Sequence, residues 1–264
     1  MLQVNLEDTI LAEMTLPGGF TRFRNFVGAA GTLQDSPQAY LVYMPDKGTH
    51  VPPHFHDIDQ FQVALSGRGT FGKKPWRPGG VQYADAFKPY GPIVADDGGL
   101  AFYTLRVASS SGQYDVPGSK HLRANTKARF ARGDYDLSQG LEALPKGLTE
   151  LIEPRGDGLG AWGIHLSPGE SFQGPDSDAG GQYYIVEQGS MIVNGSSLSY
   201  GGLLFLARGE EGAVIKGGPD GAALIIVSFP QPSDRPGSDP AELSKRELIP
   251  YAVVGAKGGV LMAD

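Results

Sequence analysis

The sequence predicts an all-β chain of two tandem antiparallel barrels with a short C-terminal helix, and three observations carry that expectation. Glycine and proline are abundant, 39 and 20 of 264 residues, while charged residues make up only 19%, a balance produced by many tight turns between short strands. Apolar runs are short and closed by turn residues, with no helical period. The pattern of the first half also recurs in the second. Gln60 precedes Gly67 by seven positions within QFQVALSG, and Gln182 precedes Gly189 by seven within QYYIVEQG, so each segment reads as a strand running into a glycine turn.

Taken in order, residues 1–115 form the first barrel. Leu16-Pro17-Gly18-Gly19 and Asp35-Ser36-Pro37 are breakers, and Ala39 to Met44 reads as a strand. Further strands are expected at Phe61 to Leu65, Thr70-Phe71, Val81 to Phe87 and Leu100 to Val107. Residues 116–145 read as a linker, in which Lys120, Arg123, Lys127 and Arg129 around His121 make a solvated connector. Residues 146–232 form the second barrel, where Leu203 to Ala207 and Ala222 to Phe229 match the later strands of the first. In the tail, 233–264, Asp239 and Pro240 open a short helix as N-cap and first helical residue, ending near Pro250. Val253, Val254 and Val260-Leu261 suggest a last extended piece.

Composition excludes several classes. Lys+Arg 22 against Asp+Glu 29 gives a net charge of −7, the wrong sign for a general attraction to nucleic acid or anionic membranes. No DNA-binding helix-turn-helix is visible. Without cysteine there is no disulfide and no thiolate ligand, so a metal site must use His, carboxylate, amide or phenol. The first residues carry acids and no basic region, and no apolar run approaches ~18 residues. A cytoplasmic, soluble chain is the expectation.

The chemistry concentrates in Gly48 to Gly67, GTHVPPHFHDIDQFQVALSG. His54 and His56 stand one residue apart, so strand periodicity sends both imidazoles to one face, where they can grip one metal ion. Pro52 and Pro53 hold the approach extended, and Gln60 adds a neutral oxygen donor. The spacing is Gly, five residues, His-x-His, three residues, Gln, six residues, Gly. It resembles the first signature of the cupin superfamily at every spacing, with Gln where that family usually has Glu.

The resemblance implies a cupin (double-stranded β-helix or jelly-roll) architecture in both barrels. It also implies a fourth ligand, normally a histidine eleven residues after a glycine. Counting from Gly79 reaches Tyr90, the positional substitute. His50 and the carboxylates of Asp57 and Asp59 are further candidates, the two acids being expected to face away or form the turn. In the second barrel Asp176 and Asp178 occupy the places of the histidines and His165 is out of register, so that barrel reads as scaffold. With two imidazoles and neutral oxygens, Zn²⁺, Ni²⁺, Fe²⁺ or Mn²⁺ are all admissible. The functions implied are a metal-dependent enzyme on a small organic substrate, dioxygenase first, or an isomerase or lyase; a non-catalytic small-molecule binder is the rival. His54, His56 and Gln60 would hold the ion, and Tyr90 or Tyr103 would supply a proton or phenolic contact. Phe61, Val63 and Leu65 alternate with the inward Gln60, Gln62 and Ala64, so this second apolar face is expected to be covered by the second barrel or by a second subunit, with a homodimer favoured.

Overall fold

A computed structural model of the chain describes residues 1–16, 18–29 and 37–237, with the backbone alone for Met14. The all-β expectation holds: antiparallel strands dominate, and the described helices are three short 3₁₀ turns. The helix expected from Asp239 and the extended piece after it lie outside the described residues. The chain divides into two units, one of residues 10–77, 83–130 and 234–264, the other of residues 1–9, 78–82 and 131–233.

In the first unit the strands Gln60–Phe71 and Ile93–Arg106 lie side by side, followed by Gln38–Met44, Gly19–Val27 and Ile10–Leu16. Gln60–Phe71 merges the two strands expected at Phe61 to Leu65 and Thr70-Phe71. In the second unit the order is Leu2–Val4, Leu203–Leu206, Gln182–Val193, Val214–Ser228, Gly160–Leu166 and Gly147–Ile152. The repeat has a steric cause. Gly67 has φ 71° and Gly189 φ 69°, and a Cβ at either would lie 2.2 Å from a carbonyl oxygen, that of Gly99 and that of Gly221 respectively. Only glycine allows the neighbouring strand so close at that backbone angle.

Three boundaries differ from the sequence expectation. Residues 1–9 go with the second unit, because Leu2–Val4 pairs antiparallel with Leu203–Leu206. The supposed linker is divided between the units, and its first part is fastened down rather than solvated throughout. Val116 N donates to Pro53 O at 3.0 Å, directly after Tyr114–Asp115, which pairs with His54–Phe55 and stacks Tyr114 on Phe55 with centroids 5.1 Å apart, and Lys88 Nζ donates to the carbonyls of Ala124, at 2.6 Å, and of Thr126. Lys120, His121, Arg123 and Lys127 are exposed, as expected of a connector. The start of the tail, Asp234–Gly237, returns to the first unit, where Arg235 pairs with Asp59 and Asp85.

The two-residue period of the strands sorts the first unit's interior into rows. Leu100 faces Met44, Phe102 faces Val42 and Ala64, Thr104 faces Tyr40 and Gln62, and Arg106 faces Gln38. One end is therefore apolar, completed by Phe71, Trp76 and Ile93, and the other is polar and holds the site. The second unit's matching rows remain apolar further along: Leu224 faces Ile164 and Val186, and Ile226 faces Trp162 and Tyr184. Phe61, Val63 and Leu65 are buried within the single chain, Phe61 against the ring of Tyr83 at 5.0 Å.

Candidate functional site

His54 and His56 are 3% and 4% exposed, with ring centroids 5.1 Å apart and planes nearly perpendicular. Each ring is fixed by a carbonyl. His54 Nδ1–H donates to Pro52 O at 2.7 Å, and His56 Nδ1–H donates to Gly112 O at 2.6 Å. Carbonyls only accept, so both rings are Nδ1–H tautomers with the lone pair on Nε2. Both are neutral. Burial brings His54 down to about 4 and takes His56 well below its ordinary value, assisted there by the charge of Arg106.

The other polar groups form a chain whose direction is determined at both ends. Arg106 donates from Nε and one terminal nitrogen to Gln60 Oε1, at 3.1 and 3.0 Å. A guanidinium cannot accept, so Gln60 turns its oxygen to Arg106 and its amide nitrogen to the hydroxyl of Tyr90, to which it donates. Tyr90 in turn donates to His54 Nε2 at 2.7 Å, because the other ring nitrogen already carries the hydrogen given to Pro52. Burial pushes the Tyr90 phenol above its ordinary value, so it is a proton donor in this chain. Arg106 also donates to Gln38 Oε1, with its Cζ 5.6 Å from the centre of the Tyr40 ring.

Tyr90 reaches the site through its backbone, which exchanges hydrogen bonds with His54 at 3.1 and 2.9 Å. Tyr103 does not reach it. It alternates with Phe102 and Thr104 onto the opposite face of its strand, where it packs edge-on against Phe26 at 5.4 Å, which corrects the expectation of a phenolic role there. His50 is exposed and pairs with Val94. Asp57 accepts from Ser110 Oγ at 2.8 Å and Ser111 N at 3.1 Å, and Asp59 accepts from Ala86 N at 2.8 Å, so both acids brace loops, as their parity suggests. Sequence reasoning missed Arg106 and Gln38. The available signal was that Arg106 shares inward parity with Phe102 and Thr104.

The donor set fits a divalent ion through two imidazoles: both are neutral, both carry an Nε2 lone pair, that of His54 taken up here by the Tyr90 hydroxyl, and both have the opposite N–H tied to a carbonyl, as metal-binding histidines do. Gln60 is placed differently from the expectation of a ligand, since its oxygen meets Arg106. Among the described residues no three His, Cys, Asp or Glu side chains group to hold a metal, so further donors would come from water or a bound molecule. In the second unit, Asp176 Oδ1 accepts from Gly212 N at 2.9 Å and Gln182 Nε2 donates to the Asp176 carbonyl at 2.9 Å. Those groups brace the loop that carries Asp176 against Gly212 and Gln182.

No family model and no curated protein matches the sequence. Solved structures do. A candidate dioxygenase from Nostoc punctiforme matches with TM-score 0.60 and 13% identity, over 90% of this chain and 83% of that one. The nickel(II) complex of the pirin YhhW from Escherichia coli gives 0.57 and 11%, over 87% and 98%. An oxalate decarboxylase from Bacillus subtilis gives 0.55 and 11%, over 86% and 77%. Identities this low carry the architecture and nothing further.

Proposed function

We propose that this chain, whose fold is that of the cupins, is a metal-binding cupin that acts as an enzyme on a small organic substrate. His54 and His56 are the protein ligands of one divalent ion. The observation that carries the reading is the pair of buried, neutral imidazoles with both Nδ1 hydrogens given to carbonyls. When bound, the ion would polarise a substrate oxygen. The chain's own residues do the rest. Pro52 O and Gly112 O hold the rings, burial excludes water, Arg106 and Gln60 set the direction of the hydrogen bonds, and Tyr90 keeps a proton at the hydroxyl that faces His54.

A dioxygenase is the first finer reading, supported by the candidate dioxygenase among the similar structures. Zn²⁺, Ni²⁺, Fe²⁺ and Mn²⁺ remain the admissible ions, and a nickel complex is among the similar structures. The test is metal analysis of the purified protein, with oxygen uptake over a panel of diketones, catechols and hydroxy acids. A stoichiometric ion lost in His54→Ala and His56→Ala supports the reading, and a metal-free protein that takes up no added ion overturns it. A non-catalytic small-molecule binder is the second reading, favoured by the Tyr90 hydrogen that already engages His54 Nε2. A homodimer in the cytoplasm completes the proposal. Its support is the strand Ile10–Leu16, which ends its sheet with Ile10 and Leu11 exposed, an edge open to pairing with a second copy.

A further inference from the structure

We propose that the row formed by Tyr40, Thr104 and Gln62 selects the ligand of the first unit's interior, and that this ligand is a small uncharged molecule with hydroxyls on two neighbouring carbons. The inference deepens the reading given above by naming a substrate class, and it rests on that reading for the site's location.

Thr104 faces Tyr40 on one neighbouring strand and Gln62 on the other. All three share the inward parity of Phe102 and Ala64, and they are buried, at 4% exposed for Tyr40 and 3% for Thr104 and Gln62. Buried polar groups are as a rule hydrogen-bonded. Here no described residue hydrogen-bonds the Tyr40 hydroxyl, the Thr104 hydroxyl or the Gln62 amide. Nor are these atoms sealed: among the described residues the sealed polar side-chain atoms without a partner belong to Tyr135 and Glu187, in the other unit. Surface kept by a buried, inward-turned side chain is surface of the interior. The row therefore presents three polar groups to whatever the interior admits.

Two of the three are pre-set. The Tyr40 ring lies edge-on to Phe23 at 6.1 Å and 5.6 Å from Arg106 Cζ, and branching at Cβ restricts Thr104. On one side of the row Arg106 binds Gln60, which leads through Tyr90 to His54. On the other side Phe102 faces Val42 and Ala64, an apolar wall for the carbon face of a ligand. Gln62 decides the class. Its amide offers a donor and an acceptor side by side. A carboxylate only accepts, and leaves the amide oxygen unmatched. Two adjacent hydroxyls match both ends, one accepting from the nitrogen and the other donating to the oxygen, and the hydroxyls of Tyr40 and Thr104 can serve the same two oxygens.

Calorimetric titration of the full chain, as isolated and after chelation, tests this with catechol against phenol and vicinal cyclohexanediol against cyclohexanol. At least one diol should bind the chelated protein about ten-fold or more tighter than its single-hydroxyl counterpart. Gln62→Leu should abolish that preference without lowering the urea midpoint, because an apolar side chain of similar size replaces an amide that holds no protein partner. Thr104→Val and Tyr40→Phe should each weaken the diol. Failure of both diols to bind, equal binding of diol and single alcohol, or a preference that survives in Gln62→Leu overturns the inference. A destabilised Gln62→Leu overturns it too, since the amide would then serve the fold. The metal reading fails separately, on the ion content of His54→Ala and His56→Ala. A diol preference seen only before chelation would belong to the ion and take the selecting role from the row.

Discussion

Tyr90 donates its hydroxyl hydrogen to His54 Nε2 over 2.7 Å, so the lone pair a cation needs is already engaged by a proton. Tyr90→Phe removes that competitor and should raise the affinity for divalent ions. The same change leaves the Gln60 amide and His54 Nε2 without this partner, at a cost of about 1–3 kcal/mol in stability. Titration with Ni²⁺ or Zn²⁺ beside urea denaturation reads both. Weaker ion binding in the variant would mean that the phenol is itself a ligand.

The histidine pair was legible because its information is local: His54 lies in the short strand His54–Phe55 and His56 directly follows it, two positions on in an extended stretch. Arg106 and Gln38 were not legible as site residues, since they lie 68 positions apart and only the pairing of their strands brings them together. Gln60 has the position of a ligand in sequence, but a cation 46 positions away turns its oxygen, and no local pattern reports that. Tyr103 shows the opposite case. Its parity relative to Phe102 and Thr104 is readable in the sequence and by itself places the ring on the opposite face. The first strand was missed as a member of the second unit for the reason that hid Arg106: sheet pairing joins Leu2–Val4 to residues near 204.

Asp57 supports His56 at one remove. Its carboxylate accepts from Ser110 Oγ and Ser111 N at 2.8 and 3.1 Å, and the same loop presents Gly112 O to the His56 ring. Asp57→Ala should loosen that carbonyl and lower ion affinity by about 10–100-fold, the usual effect of losing an outer partner. A titration showing wild-type affinity would mean that the loop holds its place without the acid.

Glu187 lies in the second unit where strand pairing shifts register, between Val186 and Gln188. It is 2% exposed, and neither carboxylate oxygen has a hydrogen-bond partner. Burial raises its folded pKa well above the ordinary 4.5, so the neutral acid is the folded form. The unfolded chain ionises above 4.5 while the folded one does not, and stability falls as pH rises until the folded pKa is passed. Glu187→Leu removes this loss. Its advantage over the wild type should grow by about 1.4 kcal/mol per pH unit across that window. Urea denaturation at about pH 5, 6 and 7, successive unit steps above the unfolded value, is the measurement; parallel curves would show that Glu187 ionises freely in the fold.

Arg235 joins the start of the tail to the loop that follows the histidines. Its guanidinium pairs with Asp59 at 2.9 Å and Asp85 at 2.8 Å, both carboxylates being buried. Beside it Gly237 has φ 73°, and a Cβ there would lie 2.2 Å from Asp57 O. Removing one partner of a buried ion pair costs about 3–5 kcal/mol, which is the destabilisation expected of Arg235→Ala. The two acids should not share it equally. Asp85 keeps Arg129 at 3.0 Å, whereas at Asp59 the charge and hydrogen bond of Arg235 oppose the upward push of burial. Without Arg235 the Asp59 pKa climbs further, so the deficit is largest near neutrality and shrinks in acid, where Asp59 is protonated in both states. Adding Asp59→Asn to Arg235→Ala should therefore recover more stability than adding Asp85→Asn, and equal recovery by the two would assign the guanidinium to both acids alike.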